Sequence, residues 1–157
     1  SSVLAASQAR RGSIYHHFPQ GKDQLVAAAI DVAGERAVHV LGPLEGRAPA
    51  DVVDGFLALW RGVLTQSALT AGYSVLAVTV ASESPDLLAR ARQIFRTWRE
   101  RLAAVLVSGG VASNDADDFA ALVISAAEGA VVLSRAEQDL APFEAVARQL
   151  HAQAERL

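Results

Sequence analysis

Cysteine and methionine are both absent from this 157-residue chain. Without a thiol there is no disulfide, thiolate nucleophile or cysteine-ligated metal, a composition that fits a reducing cytoplasm. The lack of methionine at position 1 predicts that the natural beginning of the protein lies upstream of Ser1. No window of about 18 apolar residues is free of charge, and no basic-then-apolar leader is present, so neither a membrane span nor secretion is expected. Strand-like alternation and short repeats are also missing. Aromatic residues are sparse, at nine, and five of them (Phe56, Trp60, Tyr73, Phe95 and Trp98) fall between positions 56 and 98.

What the chain does have is apolar bulk. A hydrophobic content of 52% excludes disorder and predicts a buried core in one domain with a small appendage. The net charge of −3 is unevenly placed: residues 1–30 carry +2 and the remainder −5. A basic end on an acidic body can face phosphates, because the field near a surface depends on local charges. Chance asymmetry explains two units of charge equally well.

Apolar residues at helical spacing predict an all-α chain. Residues 1–7 read as the end of a helix and GSIYHHF (12–18) as a short one, before Pro19 and Gly21 break the run. A long helix is expected from Asp23 to the Gly42-Pro43 stop, with Leu25, Ala29, Val32, Arg36 and Val40 in register. Pro49 opens the next, with Val52, Val53, Phe56, Leu57, Trp60, Val63 and Leu64 as a wide apolar stripe. YSVLAVTVAS is β-prone by composition, yet no partner strand lies nearby, so a helix is expected. Ser84-Pro85-Asp86 is the start of a helix carrying Leu87, Ala91, Ile94, Phe95, Trp98, Leu102, Val105 and Leu106, ended by Gly109-Gly110. Ser113 opens a further helix, apolar nearly all round from Phe119 to Leu133 except for Glu128. The last helix begins near Pro142.

The densest chemistry lies in RRGSIYHHFPQGKDQL, residues 10–25. Adjacent His16 and His17 project about 100° apart on a helix and do not share a metal ion. His39 and His151 are far off in sequence, no HExxH spacing exists, and Ser13 lacks a GxSxG setting. Neither metal nor nucleophile chemistry is supported, and no cofactor is expected. Nucleic-acid binding uses the residues better. A short helix, a turn and GSIYHHF have the length of a helix-turn-helix, whose second helix enters the major groove. Gly12 allows close backbone approach, while Arg11, Ser13, Tyr15, His16 and Lys22 are donors toward phosphate or base edges. Arg10 joins them by charge and proximity. Ile14 and Phe18, four apart, face the other way.

The Gly-Ser-x-Tyr-x-His-Phe core followed by Gly-Lys-x-x-Leu resembles the recognition helix and following turn of the TetR family of bacterial transcriptional repressors. GYSVLAVTVASESPDLLARA, the Phe95-x-x-Trp98 pair and AAEGAVVLSRA resemble the ligand-binding domain of its LmrA and YxaF-like branch. The similarity covers essentially the whole chain, although the first helix of the DNA-binding domain and part of the second are absent and GYS stands at 72–74 where branch members often carry Gly-Cys-Pro. The resemblance implies a partial helix-turn-helix domain with its connecting helix (1–41), joined to a helical ligand-binding and dimerisation domain (42–157). It also implies a dimeric repressor that binds a palindromic operator in double-stranded DNA and is released by a small apolar or aromatic effector. Arg11, Gly12, Ser13, Tyr15, His16 and His17 match positions that meet DNA, with His17 equally suited to helix packing, and Lys22 matches a phosphate-binding lysine.

A cavity in the second domain would be lined by Phe56, Trp60, Tyr73, Phe95, Trp98 and Glu128, although aromatics at helical spacing are as readily core. Glu128 is either an acid at an interface edge or a buried one reaching into the cavity. For the dimer, the last two helices offer Phe119, Leu122, Val123, Ala126, Ala130, Leu133, Phe143, Val146 and Leu150, unless the preceding helices cover them. Two rival functions stay open: a helical enzyme, for which no motif joins Glu83, Glu128 and His39, and a dimeric ligand-binding module that does not read DNA.

Overall fold

A computed structural model describes residues 21–69 and 74–157. These form six α-helices and, among the described residues, no strand. They are α1 (Lys22–Leu41), α2 (Pro49–Gln66), α3 (Ser74–Ala81), α4 (Pro85–Ser108), α5 (Ser113–Glu137) and α6 (Ala141–Ala154), with a 3-10 turn at Gly42–Leu44. The two short helices expected before Gly21 lie outside the described residues, as does the turn before Ser74.

Helix α4 is central: it packs against α1, α3 and α5, while α6 closes the bundle against α2 and α5. Its buried residues Leu87, Ala91, Trp98, Leu102, Val105 and Leu106 belong to the expected stripe, whose Ile94 and Phe95 are half-buried, and Ala103 is buried as well. The stripe expected for α1 is not the buried one. Ile30, Gly34, Ala37 and Leu41 face the core, whereas Val32 is 57% exposed. The alanine-rich helix is weakly sided, and the face carrying Gly34 and Ala37 wins because α4 crosses it closely. A Cβ added at Gly34 would stand 3.2 Å from the Ile94 side chain.

Helix ends follow the proline and glycine signals more closely than the hydroxyl ones. Pro49, Pro85 and Pro142 all sit in first turns, where the missing N–H is harmless. Ser84 occupies the cap position without a side-chain cap bond. Ser113 lies inside α5, after Ala112 at the cap. Gly21 enters α1 with φ +81°, a left-handed conformation that favours glycine. Gly109 ends α4 where the Arg47 carbonyl passes; a Cβ there would lie 2.3 Å from that oxygen.

Helix α5 has the length and composition of a membrane span, but half of its apolar window is buried inside the bundle. It is the chain's own core helix, packed by α4 and α6. Its buried Ser134 Oγ accepts the Phe143 N–H at 3.1 Å, which ties the start of α6 to it. Arg61 of α2 makes a bidentate pair with Glu144 of α6 at 2.6 and 3.0 Å, with its guanidinium over the Phe143 ring. The pair holds the Glu144 carboxyl below its ordinary range, chiefly through that hydrogen bond.

Candidate functional site

The aromatic residues form a continuous path. Phe56 meets Trp60 edge-on at 5.7 Å, Trp60 meets Trp98 at 5.4 Å, and Trp98 meets Phe95 edge-on at 5.3 Å. These are favourable quadrupolar arrangements. Phe56, Trp60 and Trp98 are buried in the core, so they support a site rather than expose a wall to it. Phe95, at the end of the path, is half-buried and reaches a surface groove between α4 and α5.

That groove has a volume of about 760 Å³ and is lined by Leu76 of α3, Arg92, Phe95, Arg96 and Arg99 of α4, and Ala121, Ile124, Ser125 and Glu128 of α5. The spacing of 92, 95, 96 and 99 places all four α4 residues on one helical face. Glu128 is 8% exposed, and neither carboxylate oxygen has a hydrogen-bond partner. Burial alone pushes its carboxyl up to about 8, because the charged form is poorly solvated. None of the three guanidiniums in the groove offsets that burial. Of the six residues expected to line a pocket, the structure brings Phe95 and Glu128 together, places Phe56, Trp60 and Trp98 behind them, and leaves Tyr73 outside the described residues. The arginines were not anticipated, although their positions around Phe95 carried the signal.

A second groove, of about 470 Å³, runs between α1 and α4 past Asp31, Glu35, His39 and Thr97, with Trp98 behind it. There the Trp98 indole N–H donates to the Gly34 carbonyl at 3.0 Å. The path from the first groove to α1 is therefore Phe95, Trp98, Gly34.

Of the residues expected on DNA, Lys22 is the first residue of α1 and is exposed. Arg10, Arg11, Gly12, Ser13, Tyr15, His16 and His17 lie outside the described residues. Among the residues expected at a dimer face, Phe119, Val123, Ala130, Phe143 and Leu150 are covered by the chain itself. Leu122 and Leu133 are 42% and 51% exposed, and Ala126 and Val146 are half-buried. Helix α5 simply has two apolar faces, and sequence periodicity did not separate them. Among the described residues no group of three His, Asp or Glu is placed to hold a metal.

Residues 49–149 match the family model of the C-terminal domain of LmrA/YxaF-like transcriptional regulators. The chain belongs to the TetR family. This TetR-family regulator is 35% identical to an uncharacterised HTH-type transcriptional regulator of Mycobacterium tuberculosis, over 96% of this chain and 80% of that protein. It is 27% identical to the HTH-type regulator YxaF of Bacillus subtilis, over 96% and 81% of the two chains. The crystal structure of a TetR transcriptional regulator from Legionella pneumophila superposes with a TM-score of 0.79 at 21% identity, covering 97% of this chain and 83% of that one. At that identity the likeness shows the shared all-helical fold.

Proposed function

We propose that the protein is a dimeric, cytoplasmic DNA-binding repressor whose hold on a palindromic operator is released by a small molecule. One observation carries this reading. Helix α1 begins at Lys22, directly after RRGSIYHHFPQG, and packs at Gly34 against α4, the helix that walls the groove. One helix would thus join the proposed DNA-reading unit, residues 1–41 with its connecting helix, to the proposed ligand-binding unit, residues 42–157.

Arg11, Ser13, Tyr15 and His16 would meet base edges and phosphates, with Gly12 in close approach and Arg10, His17 and Lys22 flanking. In a two-fold dimer the separation of two such helices must match half-sites on one face of the duplex. The partly open stripe of α5 at Leu122, Ala126 and Leu133 supports pairing with a second copy, since soluble monomers rarely expose contiguous apolar faces. An effector that binds preferentially to the conformation with the wrong separation lowers the operator-competent population by its differential affinity.

The test is selection of duplexes from a random library by the full-length protein, followed by sequencing. An enriched palindrome is expected, and that duplex then serves to screen compounds for release. A folded dimer that enriches nothing would instead be a ligand-binding module without DNA.

A further inference from the structure

The groove between α4 and α5 holds an acid and three cations that do not pair with one another. Glu128 has two buried carboxylate oxygens without a partner, and burying such a group unpaired is costly. Arg96 is engaged with Glu100 at 3.6 Å on its own helix, while Arg92 and Arg99 have no acidic partner among the described residues. Between them lie Phe95, Leu76 and Ile124, an apolar floor. A volume of about 760 Å³ is that of a site for a small organic molecule.

Helices α4 and α5 are joined by the short turn at 109–112 and run antiparallel. Glu128 therefore lies toward the Arg92 end of the groove and Ala121 toward the Arg99 end. The seven residues from 121 to 128 span about 10 Å of helix. A simple cation would meet three guanidiniums on its way to Glu128, and a simple anion would leave Glu128 buried and unpaired. A molecule carrying both groups satisfies both ends, with its cation at Glu128 and its anion at the far arginine.

We propose that the groove takes an elongated amphoteric small molecule, with an ammonium head bonded to Glu128, an aromatic or apolar body on Phe95, and an anionic group against Arg99. This rests on the reading of the protein as a ligand-responsive regulator, and it names the chemical class of that ligand. The raised Glu128 carboxyl adds a signature: it is mostly protonated at neutral pH, and pairing with an ammonium expels that proton.

The probes are four biphenyls: 4′-(aminomethyl)biphenyl-4-carboxylate and the analogues lacking the amine, the acid, or both. Each is titrated calorimetrically into the full-length protein without DNA, at pH 7, in two buffers of different ionisation enthalpy. The zwitterion is expected to bind at least about ten-fold more tightly than either single-ended analogue, as one charge-assisted hydrogen bond accounts for that factor. Its binding should release about one proton. Glu128→Gln should remove the proton release and about ten-fold of the zwitterion's affinity, leaving the amine-free acid unaffected; Arg99→Ala should weaken both acids and spare the acid-free amine. Equal affinity across the four probes, binding of none, or unchanged zwitterion affinity in Glu128→Gln would overturn the assignment. If these probes fail while duplex selection still yields a palindrome, only the ligand class is lost. If they succeed while selection yields nothing, the groove stands and the regulator reading falls.

Discussion

Trp98 donates its indole N–H to the backbone carbonyl of Gly34, 3.0 Å away across the α4–α1 crossing. The donor is fully buried, and the acceptor belongs to a residue whose lack of a side chain lets the helices approach. Because Trp98 also packs edge-on against Phe95, which lines the α4–α5 groove, a shift of Phe95 reaches α1 through one intervening side chain. Packed contacts of this kind transmit displacement because interiors have few voids to absorb it.

Trp98→Phe keeps a buried ring but removes the donor and part of the volume. It is expected to destabilise the protein by about 1–3 kcal/mol, read as a lower urea midpoint with an unchanged denaturant slope. The same variant should keep effector binding while losing most of the effector's power to release DNA. Full release with normal stability would show that the Gly34 bond is incidental.

Glu128 makes stability depend on pH in an unusual direction. Its carboxyl sits at about 8 in the fold against an ordinary 4.5, so the folded state holds a proton that the unfolded chain has released between those values. Stability should fall as pH rises from about 4.5 and level off above about 8, by on the order of a few kcal/mol. The charged groups sharing its groove are Arg92, Arg96 and Arg99 from α4, while Leu76 of α3 brings none. Glu128→Gln, which has no such proton, should match the wild type at pH 4 and exceed it at pH 8.5. Urea unfolding of both proteins at the two pH values decides; parallel curves would sink the claim.

Much of this was legible from residue order alone. Proline and glycine punctuation placed the starts of α2, α4 and α6 and the ends of α1 and α4, whereas α2 ends before Ser67 and α5 before left-handed Gln138, which no proline or glycine marks. The core faces of α2 and α4 were legible because Trp, Phe and Leu recur there at one helical spacing. Faces made of small residues were not, and α1 buries Ile30, Gly34, Ala37 and Leu41 because of what α4 presents to it. The site divided in the same way. Glu128 stood out as one charge in an apolar helix, but its neighbours Arg92 and Arg99 come from another helix and become visible only after packing. Phe56, Trp60 and Trp98 showed an aromatic cluster without showing which member meets solvent.

If two copies pair through α5, their contact must use the surface the chain leaves open. Leu122→Arg with Leu133→Arg places two charges on residues already 42% and 51% exposed, so the monomer fold should survive. The protein is expected to shift from dimer to monomer in light scattering at micromolar concentration, with helical content retained. By contrast, Val123→Ala alters a residue with no exposed surface. It should lower stability without changing the oligomeric state beyond what unfolding causes.

Lys22 is the one residue of the expected DNA-contacting set that lies within the described residues, and its charge is the part of that interface open to a quantitative test. It is exposed at the first position of α1, where a phosphate would meet its ammonium at the positive end of the helix dipole. A phosphate contact carries no base information, so Lys22→Ala should weaken binding to matched and mismatched duplexes by similar factors and reduce the slope of log affinity against log salt by about 1. Ser13→Ala or His16→Ala should instead change the ranking of sequences, with the salt slope nearly constant. Fluorescence anisotropy on the selected operator and a scrambled duplex, at four salt concentrations, separates the two behaviours. An unchanged slope for Lys22→Ala would place the lysine off the DNA and move the phosphate contacts onto Arg10 and Arg11.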